Sequence, residues 1–70
     1  MITMSQRLRE LREERGLKQQ DIAEILNTTR AAYSLYESGK NKPPIDNLIK
    51  LANFYKVSLD YLVARFESKE

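Results

Sequence analysis

The chain is read as an all-α domain of five short helices packed around one core. Apolar residues recur at helical spacing, as in Met4, Leu8 and Leu11, and again in Leu59, Leu62, Val63 and Phe66. The 70 residues include only two glycines and two prolines, which leaves too few turn residues for an all-β chain. Gly16, Gly39 and the Pro43–Pro44 pair fall just where helical stretches should stop or start.

The first helix opens with Thr3 as N-cap, and Gln6 three residues on completes a capping box. Its core stripe is Met4, Leu8 and Leu11, its charged residues read as a solvated face, and Gly16 follows as the C′ residue. The second helix is "QQDIAEILN", with Ile22, Ile25 and Leu26 directed inward and Asp21 in the first turn, where the helix dipole favours it. Asn27 suits a left-handed position after it. The third helix follows the N-cap Thr29 and stops at Gly39, with Tyr33 and Tyr36 on one face and Ala31 and Leu35 on the other. The short Asn27–Thr29 connection suits two helices crossing steeply.

"KNKPP" cannot continue a helix, because Lys42 and Pro43 both precede proline. Pro44 is placed to cap the fourth helix or to be its first residue. That helix carries Ile45, Leu48, Ile49, Leu51, Ala52 and Tyr55, is apolar on more than one side, and is expected at the centre of the core. Ser58 caps the fifth helix, with Asp60 in its first turn. Residues 1–66 are taken as one domain and residues 67–70 as a polar tail.

The composition narrows the chemistry. With no cysteine there is no disulfide or thiolate site, and with no histidine a zinc site would rest on carboxylates alone. No cofactor, metal or small-molecule ligand is expected, and catalysis is disfavoured for want of a nucleophile–base pair or a glycine-rich phosphate loop. No apolar run approaches a membrane span or a signal core, so a cytoplasmic location is expected. The net charge of +2 says little by itself, but its distribution is uneven. Arg30, Lys40 and Lys42 face a single acid, Glu37, whereas Glu10, Glu13, Glu14, Asp21 and Glu24 lie earlier in the chain.

The segment Gln19 to Glu37 meets the needs of a tight helix–turn–helix. Ala23 is small where the helices approach, Asn27 tolerates a positive φ, and Ile22, Leu26, Tyr33 and Tyr36 fill the angle between them. Together with "RLRELREERGL", "YESGKNKP" and "LIKLANFYKVSLDYL", it resembles the phage-repressor/Cro-like (XRE) family of helix-turn-helix regulators from about Gln6 to Leu62. The sequence departs from the family pattern at Lys18, where a capping Thr or Ser is common, and at Asn27 and Lys56, where glycine is frequent. Thr28 stands where valine is common, and Tyr33 where an aliphatic residue is usual.

The resemblance implies sequence-specific binding of a palindromic operator in double-stranded DNA by a bacterial or phage homodimer, with repression the expected outcome. The third helix would lie in the major groove and the second across the backbone. On that placement Arg30, Ala31, Ser34 and Leu35 read bases: arginine forks onto guanine, and Ala31 and Leu35 meet thymine methyls. Gln19 is implied at a phosphate, with Lys18, Thr28, Thr29, Lys40, Asn41 and Lys42 as further phosphate candidates. The resemblance also implies a partly buried ion pair between Arg12 and Glu37, and a dimer interface of Val57, Leu59, Tyr61 and Phe66 around the last connection and helix. The alternative is a protein-interaction or antitoxin-type module that keeps the helix-turn-helix shape. Arg30, the small residues beside it and the basic loop after Gly39 favour DNA, while Leu35 is the residue that favours the alternative.

Overall fold

The structure, a computed structural model, describes residues 2–65. They form α1 (Met4–Glu14), α2 (Gln19–Ile25), α3 (Arg30–Ser38), α4 (Ile45–Tyr55) and α5 (Leu59–Leu62), with no strand among the described residues. The Thr3 hydroxyl accepts from the Gln6 amide at 3.3 Å, and the Gln6 side chain accepts from the Thr3 amide at 2.8 Å. Thr29 and Ser58 cap α3 and α5 through their hydroxyls. Lysine has no acceptor, so Lys18 cannot cap α2. Asp21 supplies half of a capping box instead, its carboxylate accepting from the Lys18 amide at 2.8 Å.

All five helices close in one way. A residue at positive φ follows each of them, Gly16, Asn27, Gly39, Lys56 and Ala64 in turn. The amide of the next residue then bonds back across the last turn, as Leu17 does to the Arg12 carbonyl and Thr28 to that of Ala23. Lys40 to Leu35, Val57 to Ala52, and Arg65 to Asp60 repeat the pattern. These closures turn the chain sharply, so that five short helices share one core.

That core is Leu8, Leu11, Ile22, Ala23, Leu26, Tyr33, Leu48, Leu51, Ala52, Tyr55, Tyr61 and Leu62. Ile25 is exposed rather than inward, because Ile22, Ala23 and Leu26 define the buried face of α2 and Ile25 lies about 100° from Leu26 around the helix. The fourth helix buries only the side bearing Leu48, Leu51, Ala52 and Tyr55; Ile45 and Ile49, one turn apart, are 57% and 46% exposed. The fifth helix is a single turn, and Leu59 at its start is exposed, so the expected face of Leu59, Leu62 and Val63 is only partly buried.

One contact revises two expectations. Arg7 is not solvated but 2% exposed, and Tyr61 is buried rather than on the surface. The Arg7 guanidinium lies 3.8 Å from the centre of the Tyr61 ring, and its Nη1 donates to the Tyr61 carbonyl at 2.9 Å. The planar group is weakly hydrated and stacks on an aromatic face, so α1 seals α5 with an arginine where a hydrophobe would serve elsewhere.

Candidate nucleic-acid interface

The outward side of α3 is built by the burial of its other side. Tyr33 is fully buried, and Tyr36 meets it edge-on, with ring centres 6.1 Å apart. This leaves Arg30, Ala31 and Ser38 exposed, with Ser34 and Leu35 half-buried beside them. Thr28 is half-buried; Thr29 is exposed, but its oxygen already accepts from the Ala32 amide at 3.1 Å. After the closure at Gly39, Lys40, Asn41 and Lys42 are all exposed. The Lys40 and Asn41 amides both bond to the Leu35 carbonyl, at 3.1 and 3.2 Å, so the start of this basic loop is pinned to the end of α3. A Cβ on Gly39 would come within 3.4 Å of the Ser5 hydroxyl, so the loop also lies close against α1.

Behind this face lies a buried carboxylate. The Glu37 side chain is 1% exposed, and Arg12 grips it with two bonds, Nε to Oε2 at 2.7 Å and Nη2 to Oε1 at 3.0 Å. Arg12 also donates to the Leu17 carbonyl at 2.8 Å, which ties it to the α1–α2 turn. The Tyr33 hydroxyl donates to Oε2. Gln19, at the start of α2, donates its Nε2 to Oε1 at 3.2 Å. Burial pushes the Glu37 carboxyl up, but the bonds from Arg12, Tyr33 and Gln19 outweigh it and hold the group below the usual carboxylate range. Burial first, then the bond to Glu37, raises the Tyr33 hydroxyl. The bond to Glu37 raises Arg12.

The structure thus joins Arg12, Gln19 and Glu37 in one cluster that locks α1, α2 and α3 together. Lys18 is exposed at the start of α2. Of the residues assigned to a dimer interface, Val57 is half-buried and Leu59 is 37% exposed. Tyr61 is removed from that surface by Arg7, and Phe66 lies outside the described residues. Sequence reasoning missed Arg9, whose Nε lies 3.6 Å from Glu37 Oε1. Its position three residues before Arg12, on the same side of α1, was the available signal.

Residues 8–62 match the helix-turn-helix family. The chain is 42% identical over 66 residues to the uncharacterised HTH-type transcriptional regulator YqaE of Bacillus subtilis (strain 168), covering 94% of this chain and 56% of that protein. Among solved structures it resembles a transcriptional regulator from Listeria innocua, with a TM-score of 0.87 and 38% identity over 96% of this chain and 64% of that one. It also resembles the P22 c2 repressor in complex with synthetic operator 9T in the presence of Tl+, with a TM-score of 0.82 and 25% identity over 90% and 96% of the two chains. The chain spans about half the length of the curated relatives it matches. With the turn, the exposed third helix and the buried carboxylate behind it in place, the chain belongs to the helix-turn-helix family of phage-repressor and Cro-like transcriptional regulators.

Proposed function

We propose that this chain is a sequence-specific double-stranded DNA binder that represses transcription as a homodimer, with α3 in the major groove of a palindromic operator. The observation that carries the reading is the outward face of α3. It presents an exposed arginine at the helix start and small or aliphatic side chains along the helix, and an exposed basic loop is pinned to its end. Arg30 is suited to guanine, and Ala31 and Leu35 to thymine methyls. Ser34 serves either base type and so carries little sequence information. Lys18, Gln19, Thr28, Thr29, Lys40, Asn41 and Lys42 surround this face as phosphate ligands; Thr29 still has its hydroxyl hydrogen to donate. A similar fold is known in a repressor–operator complex, which supports the same docking here.

The test is selection of bound duplexes from a random pool with the purified protein, followed by Arg30→Ala. Loss of a forked arginine should cost roughly 1–3 kcal/mol at a single base position and relax the preference there. Equal weakening on every sequence would reduce Arg30 to a phosphate ligand. Failure to enrich any sequence would refute the reading as a whole.

A further inference from the structure

We propose that Arg9 is a DNA-phosphate ligand, and that Arg9 and Gln19 hold one phosphate between them as a clamp assembled on Glu37. This rests on the DNA-binding reading above. Glu37 Oε1 receives Arg12 Nη2 at 3.0 Å and Gln19 Nε2 at 3.2 Å, and Arg9 Nε stands 3.6 Å away. Oε2 is taken by Arg12 Nε at 2.7 Å and by the Tyr33 hydroxyl. The carboxylate is therefore satisfied without Arg9, whose side chain is 58% exposed. An ion pair at that distance and exposure adds little to stability. Its effect is positional, because it sets the Arg9 guanidinium against the same Glu37 oxygen that Gln19 bonds.

The chemistry of that juxtaposition is directional. An ionised Glu37 can only accept, so Gln19 must turn its NH2 towards it, which fixes the amide orientation and leaves a second N–H to donate. With Nε nearest Glu37, the two terminal nitrogens of Arg9 remain as donors. A guanidinium edge from α1 and an amide N–H from α2 therefore stand against the same carboxylate oxygen. A phosphodiester, which offers only acceptor oxygens and a negative charge, complements that pair. Glu13, one turn beyond Arg9, acts on Arg12, so charge in this cluster is roughly balanced and Arg9 contributes direction more than excess charge.

The test uses a duplex selected from a random pool by the wild-type protein, with single neutral methylphosphonates placed along each strand. Wild type should lose affinity at one phosphate that Arg9→Ala and Gln19→Ala no longer sense, each variant binding the unmodified duplex more weakly. Arg9→Ala should also lower the slope of log K against log salt by about 0.9, and Arg9→Lys should restore it. For Arg9→Ala, base preferences and melting temperature should stay those of wild type. If Arg9→Ala keeps the wild-type slope and senses every phosphate, Arg9 is no ligand. If the two variants lose sensitivity at different phosphates, the clamp is wrong. If the wild type enriches no duplex at all, the DNA reading falls and the clamp with it, a result distinct from the other two.

Discussion

Glu37 shows how much one side chain carries in a domain of 70 residues. Its carboxylate is held by donors from three helices, so removing its charge leaves the half-buried Arg12 without that counter-ion. Breaking a buried pair by removing one partner typically costs about 3–5 kcal/mol, a large part of the stability of a small domain. Glu37→Gln should therefore melt well below wild type in calorimetry; a shift of only a degree or two would refute the role. The pH dependence has a definite sign. Because the carboxyl sits below its ordinary range when folded, its contribution is present above the unfolded value and is lost as pH falls through the folded one. Wild type should lose stability on acidification below about pH 5, and Glu37→Gln should show a flatter acid limb in a melting-temperature series.

Among the elements, helix ends matter more than helix interiors. Each of the five helices is short and stops at a left-handed residue, yet only two of those residues are glycine. A side chain with a Cβ in that region costs roughly 1–2 kcal/mol, less for asparagine, which bonds locally. Lys56 at φ 58° carries this cost between α4 and α5. Lys56→Gly should stabilise the domain by about 0.5–1 kcal/mol after the entropy lost by glycine, or roughly 4 °C in melting temperature. Unchanged or lower melting would mean that the Lys56 side chain contributes packing that its exposure does not show.

On the proposed reading, the whole molecule has to place two copies of α3 on one operator. A single α3 reads too few base pairs to mark a site among a genome's competitors, which is the physical reason for proposing a dimer. The surface available for it differs from the one expected. Arg7 takes Tyr61 into the monomer, so Tyr61→Glu would break the fold instead of testing the interface. Leu59, with Val57 two residues before it, remains at the α4–α5 connection. Leu59→Glu keeps an acid in the first turn of α5, where the dipole tolerates it, and as a surface change should move stability within about 0.5 kcal/mol. Expected is a loss of the gain from a second half-site, read by titrating a palindrome against a single half-site. Cooperativity equal to wild type would exclude Leu59 from the interface.

The sequence by itself determined the helices, their caps and the outward face of α3, because these depend on neighbours within a few positions. Thr3 and Gln6, Thr29, Ser58, Asn27 and Gly39 act through bonds to residues no more than five away, so their patterns are legible in one dimension. Tertiary structure alone decided which apolar and charged residues lie inside. Ile25, Ile45, Ile49 and Leu59 satisfy helical periodicity, yet they lie beside the buried stripe or at the edge of a one-turn helix, and only the packing of the neighbouring elements shows that they stay partly exposed. Arg7 and Tyr61 are 54 residues apart, and Arg9 and Glu37 meet only because the α2–α3 turn folds α3 back against α1. Charge makes Arg7, Arg9 and Arg12 look alike in sequence. Their fates differ because a guanidinium can be stacked on a ring, left half in water or locked on a carboxylate, and that choice belongs to partners that the chain brings close only on folding.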